Sequence, residues 1–451
     1  MAPSRRVMQV RDWRQAVDDI SASFLAAGRR MRAPLTSREF RLLWIGQAIS
    51  QVGDPLQAVA LAWLVLKRTD SAVALSAALL ALSVPRVALM LLGGVLADRL
   101  SPRRVILWAD LARAAAAACL VLLCFAPDGP LWLLMLCVVL LVFGSASGLF
   151  SPAASSITPR IVAPEQIQAA TSLRQATPQV AALVAAPLGG ALVASVGPAL
   201  ALGLNSGSFL VAAAATLAMR PQMSQPGALT RERGPTAVGT GPSRGGRGAG
   251  AVVREALEGL RTVRQLRWLT TILAMETTLA LLTSGPVSLG LPLLAWEGAD
   301  RDGGAQGFGL LLAGLGLGHV IGMLAIAALP RVRHRGALYC LLLAAQGLLF
   351  SGLVNAPLLL AVAYMAVAGV LNGILLAMFF SLVQSTVDQA QLGRVMATVN
   401  LAFNGLGPVS QAAAGPLEQM LGPRLLFLLT GIAAVLVGGA GLLVPSLRQL
   451  D

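Results

Sequence analysis

Asp54 and Arg86 each interrupt a long apolar run with a full charge. At mid-bilayer such a charge costs about 2.5–3.5 kcal/mol on insertion scales, so one retained there faces a cavity or a partner. At 1.5 Å per helical residue, Asp54 lies ~21 Å from the start of its run at residue 40, and Arg86 lies ~18 Å from Asp98. Opposite charges at similar depth on adjacent spans fit two roles: a permanent structural pair, or a pair that alternates with binding of protons or substrate. Gln47, Ser50, Gln51 and Gln57 recur around Asp54 at i+3/i+4 spacing, as expected of a helix facing a polar cavity. Gly53-Asp54-Pro55 can also break the helix locally and free backbone carbonyls.

The second half offers a looser counterpart. Glu276 lies ~14 Å and His319 ~15 Å into their spans. An acid on the first helix of each half, opposite a basic group on the second, fits two related repeats around a midplane site. Histidine titrates near neutral pH, although a lone histidine among apolar residues is more often structural. Asp54, Glu276 and His319 are thus the candidates for carrying protons. Gln47, Gln51, Arg86, Asn400 and Asn404 are the candidates for lining a substrate cavity, with interhelical packing an equal reading for the two asparagines. Asp110 and Arg113, at i,i+3 and nearer the helix start, read as a pair that supports a gate.

The elements that must position these groups are apolar helices. The chain has 451 residues, 56% hydrophobic and 12% charged, against roughly 25% charged in soluble domains. About 20 apolar residues span a bilayer as a helix, and twelve such stretches occur: 40–66, 71–97, 105–125, 131–157, 169–196, 198–219, 267–294, 308–329, 337–355, 357–386, 395–420 and 424–446. Breakers such as Pro127-Asp128-Gly129-Pro130 separate them, and no ten-residue alternation suggests a barrel. The expected organisation is an N-terminal extension (1–39), a six-helix bundle (40–219), a linker (220–266), a second six-helix bundle (267–446) and a short tail (447–451). The linker is Gly/Arg-rich in its first half and amphipathic over 252–266. Trp13, Val17, Ile20 and Phe24 mark a second amphipathic stretch in the extension.

The net charge of +14 raises nucleic acid as a partner, but the basic residues are scattered among loops. With the N-terminus inside, 28 fall in inner segments and 4 in outer ones. That asymmetry places both termini in the cytoplasm and excludes one nucleic-acid-binding face. Cys119, Cys124, Cys137 and Cys340 all fall in or beside spans and lack zinc-ligand spacing. Neither a phosphate-binding G-x-x-x-x-G-K-[ST] nor a metal-ligand cluster appears, so enzyme chemistry, ATP drive and cofactors are not expected.

The loop after the second span reads Gly93-Gly94-Val95-Leu96-Ala97-Asp98-Arg99-Leu100-Ser101-Pro102-Arg103-Arg104. It resembles the signature loop of the major facilitator superfamily, with Ser101-Pro102 where a glycine is usual. Gly322 to Arg335 forms a degenerate second copy without the acid. Phe40 to Gln47, Ile49 to Asp54, Asp110-Leu111-Ala112-Arg113, Phe150-Ser151-Pro152-Ala153, Pro159 to Val162 and Gly393-Arg394-Val395-Met396 are similar to the macrolide-efflux and enterobactin-exporter branch. Pro187-Leu188-Gly189-Gly190 matches the family's antiporter motif only in part, and Pro55 departs from the bulky residue expected there. The likeness runs over about 40–446.

This resemblance implies an all-α fold of two pseudo-symmetric six-helix bundles working by alternating access. It implies proton-coupled export of a hydrophobic drug, antibiotic or siderophore-like compound from a monomer in the cytoplasmic membrane. Gly94, Asp98, Arg99, Arg103, Arg104, Asp110, Arg113 and Arg394 take the gating and signature-loop roles. Different readings of the same sequence are an importer, a carrier of lipids or organic anions, and a membrane sensor that moves nothing.

Overall fold

The computed structural model describes residues 32–99, 101–220, 261, 263–298, 304–328, 334–387, 391, 395–396, 398–399, 402–403 and 405–448. Within these, 91–99, 298, 327, 328, 384, 446 and 448 are described by backbone alone. The amphipathic stretch of the extension and most of that in the linker lie outside the described residues.

The described elements are helical throughout. The first six spans are α1 (Arg38–Thr69), α2 (Ala72–Arg99), α3 (Pro102–Leu123), α4 (Pro130–Ile161), α5 (Ile167–Val196) and α6 (Pro198–Leu217). The seventh, α7, runs through Arg267–Gly285, a π-helical turn Pro286–Gly290 and Leu291–Gly298. Then come α8 (Gly304–Ala328), α9 (Arg335–Gly352) and α10 (Leu358–Thr386). The last long helix, Gly407–Leu442, breaks at Gly422 (φ 75°, ψ 157°) just before Pro423. Its limbs, 407–421 and 423–442, are α11 and α12.

Local chemistry sets these ends. Ser37 caps α1 by accepting from the Phe40 N–H, and Asp70 closes it in the left-handed conformation. Ser101 caps α3 ahead of Pro102. Gly197 (φ 94°) followed by Pro198 makes the α5–α6 turn. Interiors are apolar on most sides, and large residues such as Leu188, Leu324, Leu359 and Leu436 stay exposed, the condition of helices solvated by lipid. The seventh span outruns its expected end at 294. Pro286 cannot donate a backbone hydrogen bond, so the ladder widens into the π turn and resumes.

Helix pairing repeats in the two halves. α2 packs on α4 as α8 packs on α10, and α3 packs on α4 as α9 packs on α10. Small residues allow the closest of these approaches: a Cβ on Gly318 would lie 1.9 Å from the Ala366 carbonyl oxygen, and one on Gly369 would lie 2.2 Å from that of Leu315.

The halves join along two related seams, α2 with α11 and α5 with α8. Both seams lie toward the ends of α1 and α7, opposite the face where Arg38, Arg103, Arg267 and Arg335 begin their helices. In the first, Ser76 Oγ donates to the Gln411 carbonyl (2.7 Å) and Ser83 Oγ to Gln411 Oε1 (2.8 Å). In the second, backbones meet directly at Gly190 and Gly309. Trp296 adds a corner, donating to Asp70 Oδ1 (2.9 Å) and standing edge-on to Trp63 at 5.1 Å. Among the described residues of the basic face, side-chain bonds join elements of one half only: Trp44 to Thr177, Arg103 to the Thr216 and Leu217 carbonyls and Arg174 to Thr158 in the first, Thr270 to the Val263 carbonyl in the second. The molecule is therefore sealed at one face, and α4 makes no extended contact with α10 at the other.

Candidate functional site

Ser76 and Ser83 lie two turns apart on the edge of α2 that meets α11. One turn further toward the basic face, where that seam ends, Arg86 is exposed. Its backbone is gripped from behind, because a Cβ on Gly148 of α4 would fall 2.5 Å from the Arg86 carbonyl oxygen. Asp54 of α1 is half-buried and lies within the electrostatic reach of both Arg113 and Arg86, Arg113 acting the more strongly. The expected Asp54–Arg86 ion pair is not formed: no oxygen of Asp54 lies within 4.0 Å of a described cation. Depth along each helix matches the two charges, but Arg86 follows Ser83 on the edge of α2 that meets α11 and stays exposed without reaching Asp54.

Arg113 is instead the buried cation of the first half. It pairs with Asp110, and its guanidinium carbon stands 4.2 Å from the centre of the Phe150 ring and 4.5 Å from that of Phe209. Aromatic faces and one carboxylate can hold a desolvated guanidinium. Asp110 in turn feels the charge of Asp54. Asp110, Arg113 and Asp54 thus form one electrostatic cluster within the first bundle.

The polar stripe of α1 turns partly away from open space. Gln47, Ser50 and Gln57 are buried, whereas Gln51 and Asp54 are half-buried. Gly46 and Gly53 cause this by letting α6 approach: a Cβ on Gly53 would overlap Asn205 Oδ1 at 1.9 Å. Asn205 donates to Gln57 Oε1 (2.6 Å), while Gln47 Nε2 has no partner.

In the second half, Glu276 is bonded to Tyr339 of α9 and not to His319. The pair opens on a cavity of ≈ 170 Å³ whose polar lining includes Thr283, Gln346 and Asn372. Asn372 is also the side chain next to the His319 imidazole, whose Nε2 stays buried without a partner. Glu276 and His319 thus flank one polar region without touching. Sequence reasoning passed over Tyr339, although the chain has only 2 tyrosines and a phenol inside a span needs a partner.

Of the signature loop, Arg103 holds the C-terminal carbonyls of α6, where a cation suits both the free acceptors and the helix dipole. Arg104 is exposed. Gly94, Asp98 and Arg99 continue the α2 backbone, and their side chains lie outside the described residues. Arg394, Asn400 and Asn404 lie outside them altogether. Among the described residues, no group of three or more His, Cys, Asp or Glu could hold a metal ion.

Two six-helix halves joined along two seams, with charges buried inside their spans, are the architecture of a membrane transporter, and the sequence agrees. The profile of the Major Facilitator Superfamily matches residues 43–412, and the chain belongs to that family. It is 26% identical over 434 residues to the multidrug efflux pump Tap of Mycolicibacterium fortuitum, covering 93% of this chain and 98% of that one. It is 24% identical to macrolide efflux protein A of Streptococcus pyogenes, with 92% and 97% covered. The solved structure of a point mutant of the nucleoside transporter NupG shares the fold at a TM-score of 0.70 and 12% identity, with 90% and 99% covered.

Proposed function

We propose that the protein exports a hydrophobic drug, antibiotic or siderophore-like small molecule, driven by proton influx, with its basic face in the cytoplasm and the sealed face outside. The observation that carries this reading is Asp54: a half-buried carboxyl with neither ion pair nor hydrogen bond among the described residues, midway along α1 between the basic face and the sealed one. A carboxyl so placed can meet protons and substrate from the basic face and is dried when the halves rock the other way. Relatives named for drug and macrolide efflux support the substrate class. The excess of Arg on one set of loops supports the orientation in the cytoplasmic membrane.

In this reading residues 40–219 and 267–446 move as two bodies within one monomer. Arg113 and Asp110 hold the field around Asp54, while Glu276, Tyr339 and His319 form the polar counterpart. The signature loop, with Arg103 clamping α6, steadies the first bundle as a unit.

The test is efflux driven by an imposed pH gradient in everted vesicles. Asp54→Asn should insert and bind substrate normally but lose gradient-driven accumulation; full accumulation overturns the assignment. Exposed Arg86 favours one second reading, a carrier of organic anions or lipids, which predicts that an anionic substrate is moved and that Arg86→Gln abolishes it.

A further inference from the structure

A second acid inside the spans has no part in that cycle. Glu418, on α11, is 3% exposed, and both its carboxylate oxygens lack a hydrogen-bond partner. The backbone of α7 covers it at the π turn: a Cβ on Gly290 would fall 2.8 Å from Glu418 Oε1 and 2.5 Å from Phe427 Cε2. One turn earlier on the same helix, Gly415 abuts Ser76 of α2, where a Cβ would meet the Ser76 Cβ at 2.4 Å. Two turns earlier, Ser410 Oγ accepts the Gly285 N–H of α7 (2.7 Å). The carboxyl therefore sits where α11 is clasped between α2 of one half and α7 of the other, at the sealed face. The far end of α7 carries Trp296 to Asp70 and Trp63.

The charges around it give no relief. Glu297, at the end of α7, acts on Glu418 with the same sign. Asp70 at the tip of α1 is occupied with Trp296 and is a further acid. Arg424, beyond the kink on the α11–α12 hairpin, does not come within 4.0 Å, nor does any other described cation. From α2 the nearest face presents Ser76, which bonds to Gln411. A dry carboxylate with neither donor nor cation is costly, whereas the neutral acid is tolerated.

We propose that Glu418 is a proton-binding site that sets the sealed face: it holds a proton while α2, α7 and α11 are packed and releases it to water when they part. This rests on the alternating-access reading but not on any substrate. The closed state then binds one more proton than the open one. Above the ordinary glutamate range near 4.3, each pH unit of rise lowers the closed-to-open ratio by up to about tenfold, until the closed state also ionises. External acid would thus drive the return from the open-outward to the sealed state, the step after a substrate has left.

The test uses the full chain in lipid nanodiscs with the four cysteines replaced by Ala and spin labels at Phe125→Cys and Leu359→Cys, one in each half at the sealed face. Raising the pH from 5.5 to 8.5 should increase the long-distance population in this parent. Glu418→Gln, neutral at every pH, should stay closed throughout, and Asp54→Asn, which removes a carboxyl dried in the opposite state, should open with pH at least as steeply as the parent, which separates this site from the coupling carboxyl. Glu418→Ala provides the same test if the Gln variant fails to assemble, and should also lose the response. An Asp54→Asn protein without pH response, or a Glu418 variant that opens with pH as the parent does, overturns the proposal.

Discussion

Gly190 of α5 and Gly309 of α8 form the tightest part of the glycine seam, and an added methyl group there should open the sealed face. A Cβ on Gly190 would lie 2.5 Å from the Ala305 carbonyl oxygen, 3.0 Å from Gln306 Cα and 3.1 Å from Gly309 Cα. All three are backbone atoms that no rotamer change can move. The first is about 1 Å short of an optimal contact, so the two helices must part. Overpacking of this kind costs about 1–3 kcal/mol. Because Gly190 is helical whichever face is open, the ~1 kcal/mol helix-propensity gain of Ala over Gly cancels between the states. Only the clash remains, and it exists only when the seam is closed. Gly190→Ala should therefore lower the closed-to-open ratio by about 5- to 140-fold, at 1.4 kcal/mol per factor of ten. Spin-label distances across the sealed face read that ratio directly, and Gly207→Ala, with nothing within 4 Å of its new Cβ, is the matched control. If Gly190→Ala and Gly207→Ala gave the same distance distribution as the parent, α5 and α8 would not separate at this seam and the two-seam description would fail.

Arg113→Leu should destabilise the protein by about 3–5 kcal/mol, because Asp110, 1% exposed, is left as an uncompensated buried charge. Adding Asp110→Asn should recover part of that loss in thermal unfolding. Trp296→Phe keeps a ring against Trp63 but removes the N–H that bonds the exposed Asp70. At about 0.5–1.5 kcal/mol for that bond, the closed-to-open ratio should fall two- to twelvefold by the same distance measurement.

The spans were legible because hydropathy acts on each segment alone: any run long enough to cross a bilayer is helical whatever its neighbours do. The breaker Pro127-Asp128-Gly129-Pro130 was legible for the same local reason, whereas the caps at Ser37 and Ser101 and the Gly197-Pro198 turn were not singled out. The contacts of the site were not legible. Spacing gives the depth of Asp54, Arg86 and Arg113 along their helices but not the rotation of each helix about its axis. That rotation leaves Arg86 exposed on the α11-facing edge of α2 and buries Arg113 against Phe150 and Phe209. The Gln47–Gln57 stripe shows the same gap, since Gly46 and Gly53 make its face a packing surface for α6. The Glu276–Tyr339 bond joins residues 63 apart in sequence, and nothing local links them. Glu418 differs: an acid inside an apolar run was visible by the rule that singled out Asp54. Only its place between α2 and α7 had to come from the fold.

The two seams are related by the pseudo-symmetry of the halves, yet their chemistry differs, and that difference divides the work. The α5–α8 seam is tightest where backbone meets backbone at Gly190 and Gly309, with no titratable side chain in that contact, so closure there depends on shape and not on pH. The α2–α11 seam carries Ser76, Ser83 and Gln411, with Glu418 one turn beyond Gly415, so its closure involves desolvating polar groups. On the proposed readings, one rocking motion hydrates Glu418 as the sealed face opens and dries Asp54 as the basic face closes. The two acids therefore meet water in opposite states. A proton taken up by one as it is dried need not pass through the protein to the other. The same rigid-body motion reverses both environments, and that is enough to make each face's opening answer to the acidity on its own side.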